Sequence, residues 1–132
     1  AWHPIFTSPN KEWLNYGLVF HDEPLDENAK RCPKTMELLS HIEGINVAGF
    51  SWMTPGSAIY SHKDSTGLKY DSLAYHLGLL VPKGETNLVV GGETVAEEEG
   101  KTIIFDATFL HSAENQTEED RIVRHIDFKL GL

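Results

Sequence analysis

A mainly β fold is predicted for this chain by three observations. From residue 45 onward apolar residues fall in short or alternating runs, not at helical spacing. Turn signals cut these runs every few residues, and only one stretch ahead of them carries a helical pattern.

In chain order, residues 1–32 read as irregular, broken by Pro4, Pro9 and Pro24 and anchored by Trp2, Phe6, Trp13 and Tyr16. Residues 33–42 read as one short helix. Proline suits its first turn, Met36, Leu39 and Ile42 share a face, and Gly44 stops it. Strands are then expected at Ile45–Met53, Ala58–His62, Ser72–Val81, Asn87–Val90, Glu93–Val95, Thr102–Asp106 and Arg121–Leu130. Between them lie Pro55-Gly56, Thr66-Gly67, Pro82-Lys83-Gly84, Gly91-Gly92 and Glu99-Gly100-Lys101. Seven or eight short strands with such turns imply a sandwich or a closed double-sheet barrel. The expectation is a double-stranded β-helix of the jelly-roll or cupin kind with one short N-terminal helix. No repeat, linker or composition break divides the 132 residues. They read as one domain, with residues 1–44 leading into a barrel core at 45–130.

Hydrophobic content of 40% and charged content of 23% are ordinary for a soluble globular protein. Eleven basic against twenty acidic side chains give a net charge of −9, which repels phosphate backbones and argues against nucleic acid as a partner. A single cysteine, Cys32, excludes an internal disulfide framework and fits a reducing compartment. No apolar run reaches transmembrane length and no secretory signal is visible. The expectation is a cytoplasmic protein without a membrane partner, although the chain begins at Ala1, so residues could precede it.

His-x-acid tripeptides occur four times, and about one is expected by chance in such a composition. Geometry separates them. His41 and Glu43 fall at a helix end, where positions i and i+2 diverge. His125 and Asp127 could share a strand face, but no third ligand lies downstream. His21-Asp22-Glu23 sits in the irregular segment and reads as a solvated loop. His62 and Asp64 end an extended run, where period 2 turns both side chains to one side. His111 follows a buried-looking strand, and Arg121 lies ten residues beyond it. Two histidines and one carboxylate on one face of iron form the facial triad of non-haem Fe(II) oxygenases, which leaves three positions open. A downstream arginine would then suit the far carboxylate of a 2-oxoacid. On spacing alone, a surface hydrogen-bonded pair at His62 and Asp64 with a loop histidine at 111 stands beside the metal reading.

Phe50-Ser51-Trp52-Met53-Thr54-Pro55-Gly56-Ser57, His62, Tyr75-His76-Leu77-Gly78-Leu79, Glu99-Gly100-Lys101, Phe105-Asp106, His111 and Arg121 follow one another in an order that resembles the aspartyl/asparaginyl β-hydroxylase family. These are cupin-fold oxygenases that use Fe(II), 2-oxoglutarate and O2. The resemblance covers about residues 44–130. It implies His62 and His111 as iron ligands, Ser51 and His76 as contacts of 2-oxoglutarate, and Arg121 as the partner of its distal carboxylate. Asp64 stands where the namesake enzyme has glycine, and Ala74 where it has an arginine. An aspartate at position 64 completes the metal set His62, Asp64, His111 and favours hydroxylation over halogenation.

The expected activity is therefore hydroxylation of a C–H bond in an amino-acid-like small molecule or a peptide side chain, with succinate and CO2 as coproducts. Two other readings remain: a metal cupin enzyme that does not use 2-oxoglutarate, and a catalytically silent cupin that binds a small acid or acts as an interaction module. Strand alternation adds a check. If His76 faces inward, Ala74 and Gly78 do too, and an inward Arg121 carries Val123 and His125 with it and turns Arg124 outward. Asp106 and Asn115 read as groups that shape the loop or restrain the second histidine, Glu97-Glu98-Glu99 as a solvated turn, and the N-terminal aromatics as core, with the lining of a substrate entrance as the alternative.

Overall fold

The computed structural model describes residues 3–5, 13–62 and 72–129, with side chains for 13–61 and 73–129. Alternation does set the strands. Along Ile45–Met53 the residues Asn46, Ala48, Ser51 and Met53 are buried, and along Ser72–Leu80 so are Ala74, His76 and Gly78. The described strands are β1 (His3–Ile5), β2 (Trp13–Phe20), β3 (Glu23–Pro24), β4 (Ile45–Met53), β5 (Ser57–His62) and β6 (Ser72–Leu80). They continue with β7 (Asn87–Val90), β8 (Glu93–Ala96), β9 (Thr102–Phe105), β10 (His111–Asn115) and β11 (Arg121–Lys129). The helices are α1 (Asp26–Lys30) and α2 (Pro33–Leu39).

Among the described residues the strands form two antiparallel sheets. One has the order β1-β2-β4-β11-β6-β9, with β3 beside β2, and the other has the order β5-β10-β7-β8. Met53, Ala74, Ile103 and Phe105 of the first sheet meet Ile59, Leu88 and Ala113 of the second in a shared core. The first sheet's other face is covered by α2, where Leu39 packs with Leu18, Val19, Ala48 and Ile126, and Met36 lies against them. Each large aliphatic side chain fully withdrawn from water contributes about 1.5–3 kcal/mol. One strand layer thus serves two cores and is fixed from both sides. Of the described helices, none is long and apolar enough to cross a membrane.

The departures from the sequence expectation have physical causes. The segment read as irregular contains β1, β2, β3 and α1, and two helices stand where one was expected. In β2 a bulge between Gly17 and Val19 makes Leu18 and Val19 buried in succession, which erases the period-2 signal. α1 has only five residues and none of them is buried, so it leaves no apolar stripe. α2 ends at Leu39, and Ile42, expected on its face, is exposed beyond it. β10 has the sequence His-Ser-Ala-Glu-Asn, whose inward positions His111, Ala113 and Asn115 are too polar or small to read as an apolar alternation.

Candidate active site

His111 opens β10, and the strand register sets it directly opposite His62 at the end of β5. One antiparallel pairing thus brings together two histidines 49 positions apart in the chain. His111 is buried, and its Nδ1 donates to the carbonyl of Phe109 at 2.9 Å. A carbonyl can only accept, so the neutral ring carries its lone pair on Nε2, the form a metal ligand needs. Asp64 lies outside the described residues, and His62 is described by its backbone alone.

Arg121 opens β11 opposite Met53, and Ser51 lies two residues back on β4. The guanidinium is 2% exposed, and its Nη2 donates to Ser51 Oγ at 3.2 Å. The same oxygen accepts from Trp13 Nε1 at 2.7 Å, so β2, β4 and β11 are tied at one hydroxyl. Burial brings Arg121 down to about 10, with the nearby Glu97 charge opposing, so it remains a cation at neutral pH. Its Nε has no hydrogen-bond partner among the described residues. A buried cation with an unused N–H is matched to an incoming anion.

His76 on β6 and His125 on β11 are register partners, and their rings meet, Nε2 to Nδ1, at 2.9 Å. His76 Nδ1 contacts Glu97 Oε1 at 2.8 Å, and His125 Nε2 contacts Asp127 Oδ1 at 3.0 Å. Glu97 Oε1 also lies 3.7 Å from Arg121 Nη1. Burial pushes the His76 imidazole down to about 4, against the upward pull of its bond to Glu97. Burial alone would raise the Glu97 carboxyl, but the hydrogen bond from His76 and the nearby charges hold it below the ordinary carboxylate range. His76 is therefore neutral and Glu97 ionised.

Glu97 is the residue that sequence reasoning missed. Expected in a solvated turn, it is 3% exposed. The segment after β8 docks on Gly78, whose N–H donates to the Lys101 carbonyl and whose carbonyl accepts from Gly100. A run of three acids carries no period that would mark one member as inward. Glu98 and Glu99 are exposed, as expected.

Ser51, His76, His111, Arg121, His125 and Asp127 all line one cavity of about 200 Å³, which Trp13 also borders. Drug-sized ligands occupy about 300–1,000 Å³, so the space suits a small metabolite. Inward Ala74 and Val123 are fully buried, and Arg124 turns out over the Tyr75 ring, 5.8 Å from its centroid. The other His-x-acid pairs behave differently. His41 and Glu43 are exposed, and His21 and Asp22 form an exposed turn with left-handed φ of 52° and 70°. Asp106 accepts from the backbone N–H and the hydroxyl of Thr108, which hold its carboxyl below the usual range and shape the approach to β10.

The fold is that of cupins. A 2-oxoglutarate–Fe(II) oxygenase-family oxidoreductase from Burkholderia pseudomallei superposes with a TM-score of 0.67 at 13% identity, over 95% of this chain and 72% of that one. A predicted oxalate decarboxylase from Thermotoga maritima superposes with a TM-score of 0.64 at 17% identity, over 98% and 93%. In sequence, residues 3–130 match the family model described as aspartyl/asparaginyl β-hydroxylase. The chain belongs to that family. It is 37% identical to the Xenopus tropicalis aspartate β-hydroxylase domain-containing protein 2, over 93% of this chain and 35% of that protein. It is 32% identical to the Rhizobium tropici ornithine lipid ester-linked acyl 2-hydroxylase, over 92% and 43%. The chain thus spans about a third to two-fifths of the length of these relatives.

Proposed function

We propose that this domain is an Fe(II)- and 2-oxoglutarate-dependent dioxygenase that hydroxylates a C–H bond of an amino-acid-like small molecule or a peptide side chain. One observation carries the reading: Ser51, His76, His111 and Arg121, spread over 71 positions, line a single small cavity. His62, Asp64 and His111 would hold the iron, and the lone pair that Phe109 leaves on His111 Nε2 fits that task. Iron in such a ligand set supplies a redox-active centre with open positions for the cosubstrate and O2. Arg121 binds the distal carboxylate of 2-oxoglutarate through the unused edge of its guanidinium, and Ser51 orients that fork. Neutral His76 adds a polar wall without a competing charge. Phe105, Leu88 and Ile59 keep the chamber dry, which strengthens every polar contact inside it. Overall, 2-oxoglutarate and O2 yield succinate, CO2 and the hydroxylated substrate.

Two names point to different substrates, aspartyl or asparaginyl residues for the family and an ester-linked acyl chain for the Rhizobium tropici relative. The 200 Å³ chamber favours a short side chain at the reacting position. The test is an anaerobic visible spectrum on adding Fe(II) and then 2-oxoglutarate, for wild type, His111→Ala and Arg121→Ala. A new charge-transfer band is expected, lost with His111→Ala and weakened with Arg121→Ala. No band from iron-replete wild type would remove the cosubstrate and with it this function.

A further inference from the structure

Three contacts join four side chains into one unbranched path, from Asp127 to His125, His76 and Glu97. It starts where the side chains of His125 and Asp127 are each 25% exposed, and ends at the Glu97 carboxylate, which is 1% exposed and beside Arg121. Each contact needs one hydrogen. With both carboxylates ionised the two rings must supply three N–H groups, one more than two neutral imidazoles possess. Neutral His76 gives one, on Nδ1 towards Glu97. His125 gives two, one to His76 Nε2 and one to Asp127.

We propose that this path is a proton wire which places one proton on Glu97 when a dicarboxylate anion binds at Arg121. The inference rests on the assignment of Arg121 made above. An arriving carboxylate shares the guanidinium with ionised Glu97, and two such charges on one site disfavour each other. The hydrogen on His125 Nδ1 passes to His76 Nε2, while the hydrogen on His76 Nδ1 passes to Glu97 Oε1. Afterwards the Glu97 hydroxyl donates to His76 Nδ1, His76 Nε2–H donates to His125 Nδ1, and His125 Nε2–H still donates to Asp127. Every contact keeps one hydrogen in both placements, so the transfer needs no co-reactant and leaves no orphaned donor. Glu97 loses its negative charge and His125 its positive one. The titratable and charged groups that face Glu97 are neutral His76 from β6 and Arg121 from β11, with His125 and Asp127 further along the path on β11. His111 from β10 lines the same cavity. On Glu97's own segment, Glu98 pairs with Lys101 at the surface and Glu99 accepts from the Val81 N–H.

The consequence is a pH dependence of binding. In alkaline solution, where the path lacks its extra proton, an arriving anion must draw one from solvent. Isothermal titration of 2-oxoglutarate into Mn(II)-loaded protein, at pH 6 and pH 8 in two buffers of different ionisation enthalpy, reads that proton directly. Wild type should take up close to one proton at pH 8 and almost none at pH 6, with affinity falling up to about tenfold per pH unit. Glu97→Gln and the partly exposed His125→Asn should each take up almost none and bind with flat pH dependence. Wild type without uptake at pH 8, or uptake retained in His125→Asn, overturns the wire while leaving the cosubstrate assignment intact. Failure of 2-oxoglutarate to bind wild type at either pH overturns both.

Discussion

Asn115 and Arg121 show how much one buried polar side chain can organise. The Asn115 amide donates to the Met53 carbonyl at 3.0 Å and the Glu119 carbonyl at 2.8 Å, and its oxygen accepts from Thr117. It is fully buried and ties the end of β4 to the turn that launches β11. Asn115→Ala removes the amide that joins those carbonyls, leaving the Glu119 carbonyl only the Thr117 hydroxyl, and should cost about 1–3 kcal/mol, seen as a lower urea midpoint with an unchanged slope. Arg121→Lys keeps the charge but not the planar fork. It should weaken 2-oxoglutarate binding by about ten- to a hundredfold, the worth of one or two charge-assisted hydrogen bonds, while metal binding is unaffected. Affinity equal to wild type would free Arg121 from that role.

At the scale of elements, Gly78 decides where Glu97 goes. A Cβ built there would lie 2.1 Å from the Glu98 carbonyl oxygen, a backbone atom that cannot step aside without moving the whole segment. Gly78→Ala should destabilise the domain by about 1–3 kcal/mol and release Glu97 from His76, which calorimetry and the His76 ring resonances would report. A melting temperature equal to wild type would mean that the 97–101 segment is held elsewhere. The strands from 45 onward apart from β10, together with α2 and the inward phase of β6 and β11, were legible because apolar and polar residues alternate there. His111, Ser51, His76 and Arg121 were legible as a set through the resemblance of their order to a known family, and the fold brings them to one cavity. β2 was hidden by its bulge, β10 by its polar inward residues, and Glu97 by two acidic neighbours that face water. In each case the deciding contact comes from a distant part of the chain, so no local pattern records it.

For the molecule as a whole, acid is the direction of weakness. The unfolded chain protonates His76 near about pH 6.5, whereas the folded one does so only at about 4. Between those values the unfolded state holds more protons, so stability rises with pH across that window and is lost below it. Glu97, whose carboxyl is held low, acts in the same sense as pH falls through its folded value. Wild type should lose roughly 3 kcal/mol between pH 7 and pH 4 on this account, and His76→Gln should flatten the curve. A urea midpoint that is level with pH in wild type would contradict it. The position of β11 has a further consequence. It lies between β4 and β6 and pairs along nearly its whole length with both, yet it is the last of the described strands to be synthesised. A ribosome that has made residues up to 120 has therefore produced both flanks of the large sheet with a strand-wide gap between them. Two open strand edges then wait for the segment that also brings Arg121, His125 and Asp127. Nascent domains are most exposed to mispairing during that interval, and the sheet and the cavity close in the same event.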